Sequence, residues 1–235
     1  MADHVGSLFL PGDLVQNLKE SEATKKILLG PGLRQENDLI LASKPGILRF
    51  REPNVYWIDS PQKRYVAVKG DAVLGIVTQK MGDVFRVDVG ASEAATLPYI
   101  AFEGATKRNR PDVKVGDIVF ARFSVANKDM EAELVCIDKH GRSNGMGVIR
   151  DGGFLHHCSI NQVRKILNPE NVLLKTLGKN MKFETAVGMN GRVWVKGRNI
   201  NETIAIINAL AVSEFMTNEQ TLSMCKKLAD SLAGF

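Results

Sequence analysis

The sequence predicts a mainly β protein that becomes α/β in its last third, arranged as three small modules at residues 1–62, 63–140 and 141–235. Three observations carry that expectation. Short apolar runs between Pro-Gly turns fill the first module, and apolar/polar alternation marks the second. After a glycine-rich stretch, the third shows strand and helix signals in succession.

In the first module the turn signals Pro11-Gly12-Asp13, Gly30-Pro31-Gly32 and Lys44-Pro45-Gly46 separate runs such as Asp38–Ala42 and Gly46–Phe50, which read as short strands. Lys19–Leu29 carries a weak pattern for one brief helix. Apolar residues at Leu8-Phe9-Leu10, Ile47-Leu48 with Phe50, and Tyr56-Trp57-Ile58 exceed what a 62-residue core is expected to bury, so the surplus is expected to face partners.

The second module reads as five strands: Tyr65–Val68, Val73–Thr78, Phe85–Val89, Asp117–Val125 and Met130–Asp138. Phe85, Val87 and Val89 alternate with Arg86 and Asp88, so one face enters a core and the other meets solvent. Five strands in so short a span suit a small closed barrel of the oligonucleotide-binding type.

His140–Gly147 holds three glycines and reads as a linker, where the domain boundary is expected. Beyond it come a strand at Val148–Arg150, a helix from Ser159 to Leu167 with Ser159 as N-cap, and a second helix over Glu170–Leu177. Strands at Lys182–Val187 and Arg192–Lys196 and helices over Asn201–Phe215 and Thr217–Leu232 complete it. Strand, helix, helix, strand, strand, helix is the order of a KH module.

Composition narrows the function classes. The 31 basic and 26 acidic residues give a net charge of +5, and 44% hydrophobic content argues against disorder. The excess lies in the last third, with 12 basic and 7 acidic residues over 141–235, which suits weak attraction to a polyanion. The longest nearly apolar run, Ile204–Val212, is far short of the ~20 residues of a membrane span. The N-terminus does not read as a signal peptide. Three cysteines without a CxxC pair fit a reducing compartment and exclude a zinc ribbon. His156-His157-Cys158 lacks a second ligand pair at metal spacing, and no phosphate loop, nucleophile elbow or paired-acid nuclease signature is present. No catalytic residue, metal or cofactor is therefore expected.

Two strings are more specific than any fold pattern. FEGATKRNRP (Phe102–Pro111) and GMNGRVWVKG (Gly188–Gly197) resemble the eukaryotic RNA exosome cap subunits of the ribosomal RNA-processing protein 40 (exosome component 3) family, as does the order of the modules. The resemblance implies an N-terminal β domain, an S1-type barrel and a KH domain in a noncatalytic subunit. It implies seating on RNase PH-like ring subunits beside other cap subunits, contact with single-stranded RNA, and a place in the nucleus, nucleolus and cytoplasm. The rivals are a free-standing S1/KH factor and a nuclease that uses these domains to hold substrate.

Against the family patterns, the sequence departs at both usual RNA grips. An S1 barrel carries stacking aromatics where this chain has Asp83 and Arg86, while Phe85 shares the face of Val87 and Val89. Base stacking contributes about 1–3 kcal/mol per base, so its loss leaves electrostatic contact. The KH phosphate clamp is a GXXG loop between the first two helices, but here that connector is Leu167–Asn171 without glycine. GMNG at Gly188–Gly191 matches GXXG as text but lies between two β runs, and Asn190-Gly191 signals a type I′ hairpin turn. Gly188, Asn190 and Gly191 are therefore expected to be structural. The expected RNA contacts are Lys107, Arg108 and Arg110 on a connection beside the barrel, and Arg86 on its outer face. The competing expectation for that basic loop is docking onto acidic groups of a neighbouring subunit. Trp57 and Trp194 are expected in core or interface rather than under bases.

Overall fold

A computed structural model describes residues 4–18, 27–127, 129–150 and 152–233, and the chain divides into two compact units, Met1–Gln62 and Lys63–Phe235.

The first unit contains β1 (Leu8–Phe9), β2 (Leu14–Asn17), β3 (Leu28–Leu29), β4 (Leu33–Glu36), β5 (Leu39–Ala42), β6 (Gly46–Arg51) and β7 (Val55–Asp59). They form a four-stranded sheet ordered β1-β6-β7-β3 and a three-stranded sheet ordered β2-β5-β4. Phe9, Val15, Ile40, Ala42, Leu48 and Ile58 point between them and make the core. Residues 19–26 of the expected helix lie outside the described residues, and its end is a strand, since Leu28 and Leu29 pair in parallel with Val55 and Tyr56. Alternation along β6 buries Leu48 and leaves Ile47 exposed, while Phe50, on the Leu48 face near the strand's end, is exposed as well. Leu8 is 71% exposed and Leu10 57%, so the apolar surplus read in the sequence does reach the surface.

The second unit opens with a closed barrel of β8 (Ala72–Met81), β9 (Val84–Asp88), β10 (Ala95–Pro98), β11 (Ile118–Asn127) and β12 (Met130–Val135). The strands follow the order β12-β10-β9-β8-β11, and β11 closes the ring on β12. Phe85, Val87, Val89, Leu97, Phe123 and Leu134 fill it. Two strand assignments differ from the sequence reading. Tyr65–Val68 is not a strand, because β9 and β11 already occupy both edges of β8. Tyr65 is instead pinned by its hydroxyl, which donates to Asp71 Oδ2 at 2.9 Å, and by stacking on Phe123. The fifth strand is β10, whose brevity and terminal Pro98 hide it, although Ala95 and Leu97 face inward with the expected period.

A sixth strand, β13 (Gly147–Ile149), adds to the outside of β11 through the pairs Val119–Val148 and Ile118–Ile149. The strand assigned to the third module at Val148–Arg150 thus belongs to the barrel sheet, and that sheet continues past the boundary drawn at 140/141. Glycines signal a break in regular structure, but they cannot say which sheet the next strand joins.

The remainder is β14 (Phe154–His157), α1 (Ile160–Leu167), α2 (Leu173–Asn180), β15 (Phe183–Gly188), β16 (Arg192–Gly197), α3 (Ile200–Val212) and α4 (Asn218–Ala233). The strands order β14-β16-β15, all antiparallel. This is the KH order, with Phe154–His157 as its first strand. Ser159 caps α1 as expected, its Oγ accepting the Gln162 amide at 3.0 Å. Val163, Leu173, Leu177, Val193, Val195, Ile206, Leu210 and Cys225 form one core between sheet and helices. Gln162 is buried beside it and donates to the Leu210 carbonyl, while Lys165 Nζ donates to the carbonyls of Ser213 and Met216 at 2.7 and 2.6 Å. These bonds reach carbonyls at and just beyond the end of α3, and they tie α1 to it. No helix among the described residues is long and apolar enough to cross a membrane.

Candidate RNA-facing surface and the hairpin beneath it

The four cations expected to meet RNA fall into two groups. Lys107 and Arg108 are exposed on a loop braced from within, where the Thr106 amide donates to the Asn109 carbonyl at 2.9 Å and the Asn109 amide to Thr106 Oγ1 at 3.0 Å. Among the described residues neither has an acidic side chain within ion-pair distance. Arg110 turns back, placing its guanidinium 2.9 Å from Asp83 Oδ1 and 4.9 Å from the centre of the Tyr99 ring. Arg86 lies 3.8 Å from Glu131 Oε1. Asp83 and Arg86, which the resemblance sets at the stacking positions of an S1 barrel, therefore each hold an ion-pair partner. Phe85 is buried in the barrel core, edge-on to Phe102.

The connector between α1 and α2 uses up the amides that a GXXG loop would offer to phosphate. The Glu170 amide donates to Asn168 Oδ1 at 3.1 Å, the Asn171 amide to the Asn168 carbonyl at 2.9 Å, and the Leu173 amide to Asn171 Oδ1 at 2.7 Å. Asn168 and Asn171 act as local side-chain caps that lock the connector on itself. Asn171 Nδ2 also donates to the Lys165 carbonyl.

Residues 188–192 are where sequence and structure diverge most usefully. Gly188 pairs with Arg192, so the connection between β15 and β16 has three residues, Met189 to Gly191, rather than the two of a type I′ turn. Only Gly191 has positive φ, at 79°, and a Cβ there would sit 2.7 Å from the Cys158 carbonyl oxygen. Turning this way, the loop places its side chains in the barrel. Asn190 Nδ2 donates to the carbonyls of Leu74 at 2.8 Å and Val89 at 2.7 Å, and Asn190 Oδ1 accepts the Leu74 amide at 3.3 Å. The Met189 amide donates to the Ala72 carbonyl at 2.8 Å. Arg192 Nη1 donates to the Asp88 carbonyl and Nη2 to Asp88 Oδ2, both at 2.6 Å. A Cβ on Gly188 would meet the Leu74 amide nitrogen at 2.7 Å, so backbone meets backbone there as well.

Sequence reasoning singled out Gly188, Asn190 and Gly191 but missed Arg192, Asp88 and Leu74. The available signal was a charged residue, Arg192, opening a run of Val193, Trp194 and Val195 that is buried on both faces. Trp194 is buried, and its Nε1 donates to the Gly152 carbonyl at 2.8 Å, whereas Trp57 is only half-buried. His156 and His157 share no cluster of three metal-ligating side chains among the described residues. Burial pushes the thiols of Cys136 and Cys158 up to about 12 and about 11, which keeps both protonated at neutral pH.

A closed five-stranded barrel fused edge to turn with a KH fold defines an S1–KH protein, a class of nucleic-acid-binding architecture. Three family descriptions match the chain: the mammalian exosome complex component RRP40 N-terminal domain over residues 6–61, the RRP40 S1 domain over 65–147, and a KH domain over 153–201. Exosome complex component RRP40 of Bos taurus is 52% identical over 212 residues, covering 88% of this chain and 77% of that protein. The Drosophila melanogaster protein of that name is 41% identical over 96% of this chain and 97% of its own length. The Schizosaccharomyces pombe one is 38% identical over 96% of each. The chain belongs to the exosome complex component RRP40 family. A crystal structure of a candidate exosome complex RNA-binding protein shares the fold, with a TM-score of 0.59 over 71% of this chain and 98% of that one at 20% identity.

Proposed function

We propose that this chain is a noncatalytic RNA-binding cap subunit of an RNA exosome, seated on RNase PH-like ring subunits beside other cap subunits, where it helps admit single-stranded RNA for rRNA processing and degradation. The observation that carries the reading is that two nucleic-acid-binding folds are present while the usual RNA grip of each is committed to the protein's own structure. The stacking positions hold ion-paired Asp83 and Arg86, and the clamp amides are bonded within the α1–α2 connector. What remains for RNA is a loop with Lys107 and Arg108, with Arg110 and Arg86 behind it, which suits sequence-tolerant holding and release rather than readout. The exposed Leu8, Leu10 and Phe50 of the first unit suit docking to a ring.

Two experiments test this. Affinity purification of the full chain from cells should recover ring and other cap subunits, whereas a version lacking residues 1–62 should stay soluble and recover none. Purified chain should not degrade labelled RNA with phosphate, magnesium or manganese. Recovery of the full chain alone, or RNA degradation by it, would overturn the reading. We further propose residence in nucleus, nucleolus and cytoplasm, tested by imaging a tagged chain expressed from its own locus.

A further inference from the structure

The loop that carries Lys107 and Arg108 has both feet in the barrel, where Phe102 packs on the core and Val113 is buried in it. Just inside each foot it is tied to the segment that runs from β12 to β13. Glu103 Oε2 accepts the Ser143 amide at 2.9 Å, and the Asp112 carbonyl accepts Arg150 Nη2 at 2.6 Å. The partners stand 40 and 38 positions apart in the chain, so these are tertiary ties and not turn chemistry.

The segment that receives them is itself closed. Asp138 Oδ1 accepts the His140 and Arg142 amides at 2.8 and 3.0 Å, and the Asp138 amide donates to the Arg142 carbonyl at 2.8 Å. The next amide along, that of Ser143, is the one Glu103 takes. Glu103 is exposed, and hydrogen bonds from Ser143 hold its carboxyl below the ordinary 4.5, so it is ionised at neutral pH. It is thus an acid a few positions before two cations that have no acidic partner among the described residues. On a surface that only attracted phosphate, that charge would work against binding.

We infer, resting on the RNA contact proposed for this loop, that Glu103 is a positioning residue for it: by holding the first foot to Ser143 it sets where Lys107 and Arg108 stand, and this restraint outweighs its own repulsion of phosphate. An exposed contact of this kind adds little to global stability. A loop already anchored at both feet needs little to select among its remaining arrangements, however, and fixing it before RNA arrives lowers the ordering cost of binding.

The test uses the full chain and a twelve-nucleotide uridine RNA, with affinity read by fluorescence anisotropy. Glu103→Ala removes both charge and acceptor, whereas Glu103→Gln removes the charge and keeps an oxygen for the Ser143 amide. Electrostatics alone would make both variants bind more tightly than the parent, and equally so. Positioning makes them diverge: Glu103→Ala should bind about threefold to tenfold more weakly, and Glu103→Gln at least as tightly as the parent. In the free protein, Glu103→Ala should shift the Ser143 amide signal and lower the backbone order parameters of Lys107 and Arg108, and Glu103→Gln should restore both. Tighter or unchanged binding by Glu103→Ala, or equal weakening by the two variants, in a protein where Arg108→Ala still weakens RNA binding, would overturn the proposal and leave the RNA reading standing. Arg108→Ala binding as tightly as the parent would overturn both, and the loop would then serve a protein neighbour.

Discussion

Arg192 and Asp88 meet at 2.6 Å across the junction of KH fold and barrel with unequal exposure, the arginine side chain 8% accessible and the aspartate 46%. The cation is thus the buried partner, and its charge is compensated by a carboxylate that water still reaches and by the Asp88 carbonyl. Losing the carboxylate would leave a buried guanidinium with carbonyl acceptors only.

Partial burial pushes the Asp88 carboxyl up, but the hydrogen bond from Arg192, the Gly90 amide and the Arg192 charge together pull it below the ordinary 3.8. A carboxyl lowered in the folded state contributes stability that is full above the unfolded value and is lost as pH falls through the folded one. Thermal unfolding from pH 7 to pH 2.5 should show the parent losing part of its melting temperature below about pH 4. Asp88→Asn should start a few degrees lower at pH 7 and converge toward the parent in acid. A constant offset across that range would remove Asp88 from the acid response.

Asn190→Ala would strip the Leu74 amide and the Val89 carbonyl of their side-chain partner at a buried site and leave the Leu74 carbonyl with Arg192 Nη1 alone, at 3.4 Å. We expect a loss of about 2–4 kcal/mol in denaturant unfolding and faster hydrogen exchange at the Leu74 amide. Unchanged exchange there would mean that Asn190 does not hold the junction.

Gly191→Ala should cost about 1 kcal/mol or more, because the residue sits at φ 79° and its Cβ would press on the Cys158 carbonyl. Its RNA affinity at temperatures where it stays folded should match the parent. A variant that kept its melting temperature and lost RNA would restore the clamp reading of GMNG.

If Lys107 and Arg108 neutralise two phosphates, the slope of log K against log salt for a uridine oligomer should be about −1.4, and Arg108→Ala should bring it to about −0.7. Asp83→Asn releases Arg110 from its 2.9 Å partner and should steepen the slope toward −2, by about 0.7. Fluorescence anisotropy over 50–300 mM salt measures all three. A slope unaltered by Asp83→Asn would show that Arg110 does not reach phosphate.

Local signals read well in this chain. Ser159 before Ile160, and Phe85, Val87 and Val89 alternating with charges, carry their structural meaning within a few residues, so cap and barrel face were legible. Signals that depend on distant partners were not. β10 is a strand because β9 and β12 flank it, Val148 joins the barrel because β11 has a free edge, and Tyr65–Val68 fails to be a strand for want of one. The GMNG turn has three residues rather than the two of a type I′ turn, with Asn190 and Arg192 reaching Leu74 and Asp88 more than 100 positions earlier. Lys107, Arg108, Arg110 and Arg86 stood out as charges, but the carboxylates that hold two of them became visible only in three dimensions.

The placement of β13 changes what the glycine-rich stretch before it can do. A true tether between bodies can be cut to release them. Here the segment from Gly141 to Gly145 leaves the barrel at β12 and returns to it at β13, and the hairpin at residues 189–191 grips β8 independently. Cleavage after Gly145 would therefore produce two fragments that stay together, β13 zipped along β11 and the Asn190 side chain still seated between Leu74 and Val89. Gly141 and Gly145, at φ 75° and 81°, turn the chain back within a single folded body.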